Sequence, residues 1–149
     1  MKLFFRLRSL FIINCVKSYA NSTLFFITLC LSRVLVTFFF WMAGIYGVFH
    51  FAEIVQEMVT VGLPWPVLFA AGTIFCQLAG SALIVFNPAG YGWIGSVMLI
   101  VFTLLTIPLG HAFWAFSEPR RTEEFHIALE HITVVGGLIM SALFAGYRR

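Results

Sequence analysis

No aspartate occurs in this sequence; its six acidic residues are all glutamate. Charged residues make up only 10% of the 149 positions, where a soluble domain carries about 25%. So little charge cannot hydrate the outside of a soluble domain, and that class is excluded. Cysteine is also sparse. Cys15, Cys30 and Cys76 lie far apart in apolar surroundings, without the CxxC or Cys/His spacing of a zinc site. They read as small hydrophobes in or near lipid. No nucleophile motif, phosphate-binding loop or dinucleotide fingerprint is present. Gly44-Ile-Tyr-Gly47 and similar glycine pairs are explained better by helix packing.

What the chain has instead is apolar and aromatic bulk. Hydrophobic residues make up 61% and aromatic residues 17%, with 18 phenylalanines. The fold class expected is all-α, an integral membrane four-helix bundle, because at about 20 residues per crossing the chain has room for that many spans. The first span is read from Val34 to Phe51, with Leu24–Leu31 leading into it and Arg33 anchoring it from the charged side. Phe51–Leu63 alternates Glu53, Gln56, Glu57 and Thr60 with apolar residues, the pattern of a short amphipathic surface helix. Pro64 and Pro66 stop it. The second span is Val67–Phe86, followed by a tight turn at Asn87-Pro-Ala-Gly. The third runs from Trp93 to Trp114, with Pro108 bending it just before His111. A charged loop, Ser117–Glu124, leads to the fourth span, Phe125–Ala145. Trp41, Trp65, Trp93 and Trp114 fall near the interfaces that tryptophan prefers.

Residues 1–31 are expected to form a separate basic segment ahead of a domain at 32–149. Its apolar run is too short for a cleaved signal peptide. Lys2, Arg6 and Lys17 share a broad polar side of a helix, while Arg8 falls off it, so the segment is read as lying in the membrane interface. Four spans place Lys2, Arg6, Arg8, Lys17, Arg33, Arg148 and Arg149 on one side of the membrane and only Arg120 and Arg121 on the other. Basic residues favour the cytoplasmic side, which puts both termini there.

Ionisable groups at membrane depth are costly and commonly functional. Here they gather in one half of the bundle. His50, Glu53 and Glu57 would share a face if one helix ran through them. His111 ends the third span beside Trp114, and His126, Glu130 and His131 begin the fourth. Gln77 lies nearer the middle. Several readings stand open: a hydrogen-bonded scaffold, a pocket for a quinone with His111 and Glu130 as donor and acceptor, a porphyrin or pigment ligated by His50, His111 or His131, and a proton relay. The spacing lacks the paired Glu-x-x-His motifs of a four-helix di-metal site, so no metal is expected and quinone is the cofactor left open.

Several short motifs resemble the DoxX family of small four-helix bacterial inner-membrane proteins. They are Ser32-Arg33 opening a span that reaches Ala43-Gly44, Val61-Gly62-Leu-Pro64, Gly110-His111-Ala-Phe-Trp114 and Val134-Val135-Gly136-Gly137. Against the family's pattern, Gly47 stands where a lysine is frequent, Gln77 where a glutamate is, and Glu130 where a second lysine is. The resemblance implies a multi-pass inner-membrane protein associated with quinone-linked redox assemblies. It implies an accessory or structural subunit, not catalytic on its own, whose partners are the lipid bilayer and other membrane subunits and not nucleic acid. A quinone-linked oxidoreductase component and a porphyrin- or pigment-binding subunit are the alternatives.

Overall fold

A computed structural model of the chain describes residues 23–146. The basic segment with Lys2, Arg6, Arg8 and Lys17 lies outside the described residues, as do Arg148 and Arg149. The described chain forms helices α1 (Thr23–Phe49), α2 (Phe51–Thr60), α3 (Pro66–Phe86), α4 (Gly92–Gly110) and α5 (Arg120–Leu143). Short 3-10 turns at Pro88–Gly90, Phe113–Ala115 and Phe144–Gly146 complete it.

Local chemistry sets the breaks. After α2 the chain turns at Gly62, whose φ of +80° suits glycine. Pro66 opens α3, where its missing N–H costs no helical bond. Asn87 ends α3 in the left-handed region. Helix α4 ends two residues beyond Pro108. Before α5 the Glu118 carboxylate accepts the Thr122 backbone N–H at 3.2 Å, sharing it with the Pro119 carbonyl in the first helical turn.

α1 packs on α3, α3 on α4 and α4 on α5, while α1 and α5 touch only lightly. The four long helices therefore form a curled row whose last seam is barely closed. Each gives one residue to a common centre: Phe40, Ile84, Leu99 and Leu138. Gly44 and Gly47 face α3, against Leu78 and Ile74. The hydroxyls of Thr37, Ser96 and Thr103, buried among these helices, donate to carbonyls one turn back in their own helices.

Four helices are long and apolar enough to cross a membrane. Many of their largest apolar side chains point outward, among them Phe38, Phe39, Phe75 and Leu104. In water such a surface would aggregate; in a bilayer it is the solvated surface. The chain is a multi-pass membrane protein.

Two boundaries differ from the sequence reading, and both shifts matter. The first span starts no later than Thr23, not at Val34, so Arg33 lies inside it. Arg33 is not a surface anchor: it is 5% exposed, and its Nη2 donates to the Phe144 carbonyl at 3.0 Å. The fourth helix begins at Arg120, not Phe125. Once Glu118 caps it, the charged stretch can join the helix, and Glu124 is carried onto the inward face.

Candidate functional site: the glutamate end of the bundle

All six glutamates of the sequence belong to one half of the bundle, where α1 meets α2 and α4 meets α5. The ionisable groups expected there do not converge. They separate into two corners, a central polar pair and an outward-facing pair.

At the α4–α5 corner His111 follows the last residue of α4, its backbone N–H donating to Ile107 at 3.0 Å. Its Nδ1 stands 2.8 Å from Oε2 of Glu124. The other oxygen of Glu124 accepts from Nε of Arg120 at 3.3 Å. The Arg120 guanidinium lies 3.9 Å from the centre of the Phe116 ring, within cation–π range. The His131 ring is 4.9 Å from that of His111. Its Nδ1 is 2.8 Å from the Ile127 carbonyl. A carbonyl only accepts, so that nitrogen carries the proton. Arg120, Glu124, Ile127 and His131 thus form one stripe of α5 laid against the end of α4. Trp114 is exposed, in edge contact with Phe113.

At the α1–α2 corner the helix does not run through His50. The chain bends there, and the imidazole stacks on Tyr46 with ring centres 4.0 Å apart. The Tyr46 hydroxyl donates to the Glu53 carboxylate. His50, Glu53 and Glu57 are all exposed. In the centre, Gln77 is buried on α3 and its side chain makes no hydrogen bond among the described residues. Ser81, one turn further on, is fully buried, and its hydroxyl also has no partner among them.

His126 and Glu130 occupy a different face of α5 from the His111 stripe and are exposed. The carboxylate that meets His111 is Glu124, not Glu130. Sequence reading passed over Glu124 because it stood in an assumed loop. With the helix started at Arg120, the four-residue steps from 120 to 124 and from 127 to 131 would have exposed the stripe. Tyr46 and Ser81 carried no sequence signal beyond their helical spacing to His50 and Gln77.

Among the described residues no group of three or more His, Cys, Asp or Glu side chains is arranged to hold a metal ion. Chemically, the His111–Glu124 pair can hold a proton between its partners and tie α4 to α5. Both groups keep some contact with the outside, with 27% and 13% of their side chains exposed. The coupling expected in a double-mutant cycle of His111→Ala and Glu124→Gln is therefore modest, below about 1 kcal/mol. Detergent melting of the four chains checks it, and a coupling several times larger would mean a drier site than this geometry has.

The chain matches no curated protein and no solved structure. It does match the family model for DoxX, from residue 28 to residue 112. The matched region runs from the first turns of α1 through α4 to the corner at His111, and covers more than half of the sequence. This chain belongs to the DoxX family.

Proposed function

We propose that this protein is a noncatalytic accessory subunit of a larger membrane assembly, of the redox kind with which its family name is associated. We place it in the bacterial inner membrane with both termini in the cytoplasm. The excess of basic residues at the end opposite the glutamates supports that orientation.

The observation that carries the subunit reading is the outward face of α5. Glu130 lies ten residues beyond Arg120, about 15 Å along the helix axis, on a helix apolar enough to cross the membrane. His126 precedes it by one turn, and both are exposed. A charged residue facing lipid at depth costs on the order of 3 kcal/mol. A neighbouring subunit offering a basic or hydrogen-bonding group removes that cost. The His111 stripe, by contrast, is occupied with partners of its own chain, which suits a scaffold. A quinone site pairing His111 with Glu130 draws no support from their placement on separate faces.

The test is isolation of the tagged protein from native membranes in mild detergent, for the unmodified chain and for Glu130→Leu. The unmodified chain is expected to bring down a larger complex in fixed stoichiometry. Glu130→Leu should lose most of that complex while the bundle itself melts as before. Undiminished recovery of the complex by Glu130→Leu would overturn the assignment of this face. A lone protein carrying quinone would overturn the subunit reading itself.

A further inference from the structure

The seam between α1 and α5 opens, at the end away from the glutamates, into a cleft of about 370 Å³. That is within the range of ligand pockets. Its floor is a close approach of the two helices, where Val36 meets Gly137. A Cβ on Gly137 would stand 2.9 Å from the valine side chain. Phe25 and Leu29 of α1, Met140 of α5 and Phe144 just after it form apolar walls. Arg33 lines the cleft as well.

Arg33 is the anomaly. A guanidinium has five N–H donors. The Arg33 side chain makes only one hydrogen bond among the described residues, from Nη2 to the Phe144 carbonyl. That contact places it at the C-terminal end of α5, where the helix dipole supplies roughly half a negative charge. Among the described residues nothing else matches that charge. No acidic side chain occurs in the sequence before Glu53 or after Glu130. Both helices that line the cleft hold their glutamates at the far end or lack them, and residues 1–22 and 147–149 contain none. A charge 95% withdrawn from solvent, in an apolar cleft of a membrane protein, calls for an anion from outside the chain.

We propose that this cleft binds one anionic phospholipid, its phosphate against the free donors of Arg33 and an acyl chain lying over Val36 and Met140 towards the bilayer. The chemistry fits in three respects. A guanidinium fork matches two phosphate oxygens. The Arg33 head meets the Phe144 carbonyl at the end of the last span, and so lies towards the end of the bundle, where a headgroup sits. The walls below it are apolar and open sideways to lipid. Basic pockets between membrane helices are known sites for anionic headgroups. The lining of this cleft includes neither His126 nor Glu130, so the two sites are tested by different substitutions.

The test uses the full chain in mild detergent, with native mass spectrometry during titration with phosphatidylglycerol or phosphatidylcholine. Arg33→Gln removes the charge. Ser141 also lines the cleft; Ser141→Phe fills it from α5 and leaves Arg33 with its carbonyl, so it decides the matter if Arg33→Gln folds poorly. The unmodified chain is expected to retain one phosphatidylglycerol at least tenfold more tightly than phosphatidylcholine, and each substitution should abolish that preference. Equal retention of the two lipids, or a preference that survives Ser141→Phe, overturns the proposal. Retention of no lipid at all overturns it too, and would assign the unmatched charge to the α5 terminus alone.

Discussion

Gly95→Val is expected to separate α3 from α4 and to cost the bundle about 3 kcal/mol or more, the upper range for overpacking a well-filled core. The reason is backbone. A Cβ at Gly95 would press into the carbonyl oxygen of Gly80 on the facing helix, and would stand 2.8 Å from the Leu83 Cβ and 3.2 Å from Ile84. A carbonyl oxygen cannot swing aside as the end of a flexible side chain can. The only relief is to move the helices apart. Moving them apart also draws Gly80 away from Leu99, a member of the central cluster, and so loosens the packing there. Helix association in a bilayer depends on such close packing, since burial of apolar surface contributes little there. Circular-dichroism melting or titration with a denaturing detergent measures the effect. Gly136→Ala is the control. Its Cβ would meet nothing within 4 Å, so the isolated protein should melt as before. Equal stability of Gly95→Val and Gly136→Ala would mean that α3 and α4 do not cross at these glycines.

Asn87→Leu is expected to cost about 4 kcal/mol, as two lost buried hydrogen bonds and a strained backbone together. Asn87 has φ 43° and ψ 51°, a conformation that asparagine tolerates and most side chains do not. Its Oδ1 accepts the Gly92 N–H at 2.8 Å and its Nδ2 donates to the Ala145 carbonyl at 2.7 Å. One side chain thereby starts α4 and fastens the end of α5 to the α3–α4 turn. Leucine removes both bonds and strains the turn. Asn87→Gly relieves the strain but not the lost bonds, so it should recover about 1 kcal/mol. Asn87→Asp keeps the acceptor for Gly92 but sets a carboxylate against the Ala145 carbonyl, and should fall below the glycine variant. Melting of the three variants checks the order. Glycine performing no better than leucine would remove the backbone share.

These results and the Arg33 contact describe one device. A helix leaves its last carbonyls without partners, and inside a bilayer water cannot supply them. In the turn that ends α5 the Phe144 carbonyl is taken by Arg33 from α1 and the Ala145 carbonyl by Asn87 from the α3–α4 turn. The end of the fourth span is therefore secured by the other three. Arg33 has a structural task whether or not a lipid is bound, and this is why its test includes Ser141→Phe, which leaves that task intact.

Much of this architecture could be read without coordinates. Uninterrupted apolar stretches of span length, separated by Gly62-Leu-Pro-Trp-Pro66, Asn87-Pro-Ala-Gly90 and a charged stretch, dictate four crossings, because a bilayer tolerates no unsatisfied backbone. The motifs around Arg33, Gly44, Gly62 and His111 carried the family, which the match across residues 28–112 bears out. The amphipathic character of the short second helix followed from the spacing of Glu53, Gln56 and Glu57 alone. Such features depend on composition and on periodicity within a single segment.

Tertiary structure decided everything that depends on two segments meeting. Arg33 read as an anchor because, in one dimension, an arginine beside an apolar run marks the membrane edge. Only the approach of the α5 terminus shows where its charge goes. His111 was matched with Glu130 by depth, yet depth does not say which face of a helix turns inward, and the early start of α5 at Arg120 gave the place to Glu124. Gln77 and Ser81, buried together in the centre, and the open α1–α5 seam are likewise products of helix rotation and of the order in which the spans pack. The sequence by itself determined the number and lipid-facing nature of the spans, since each is the response of a single segment to its solvent. The partners of its few polar groups were decided only by packing, where rotating a helix by one residue, about 100°, exchanges one face for another.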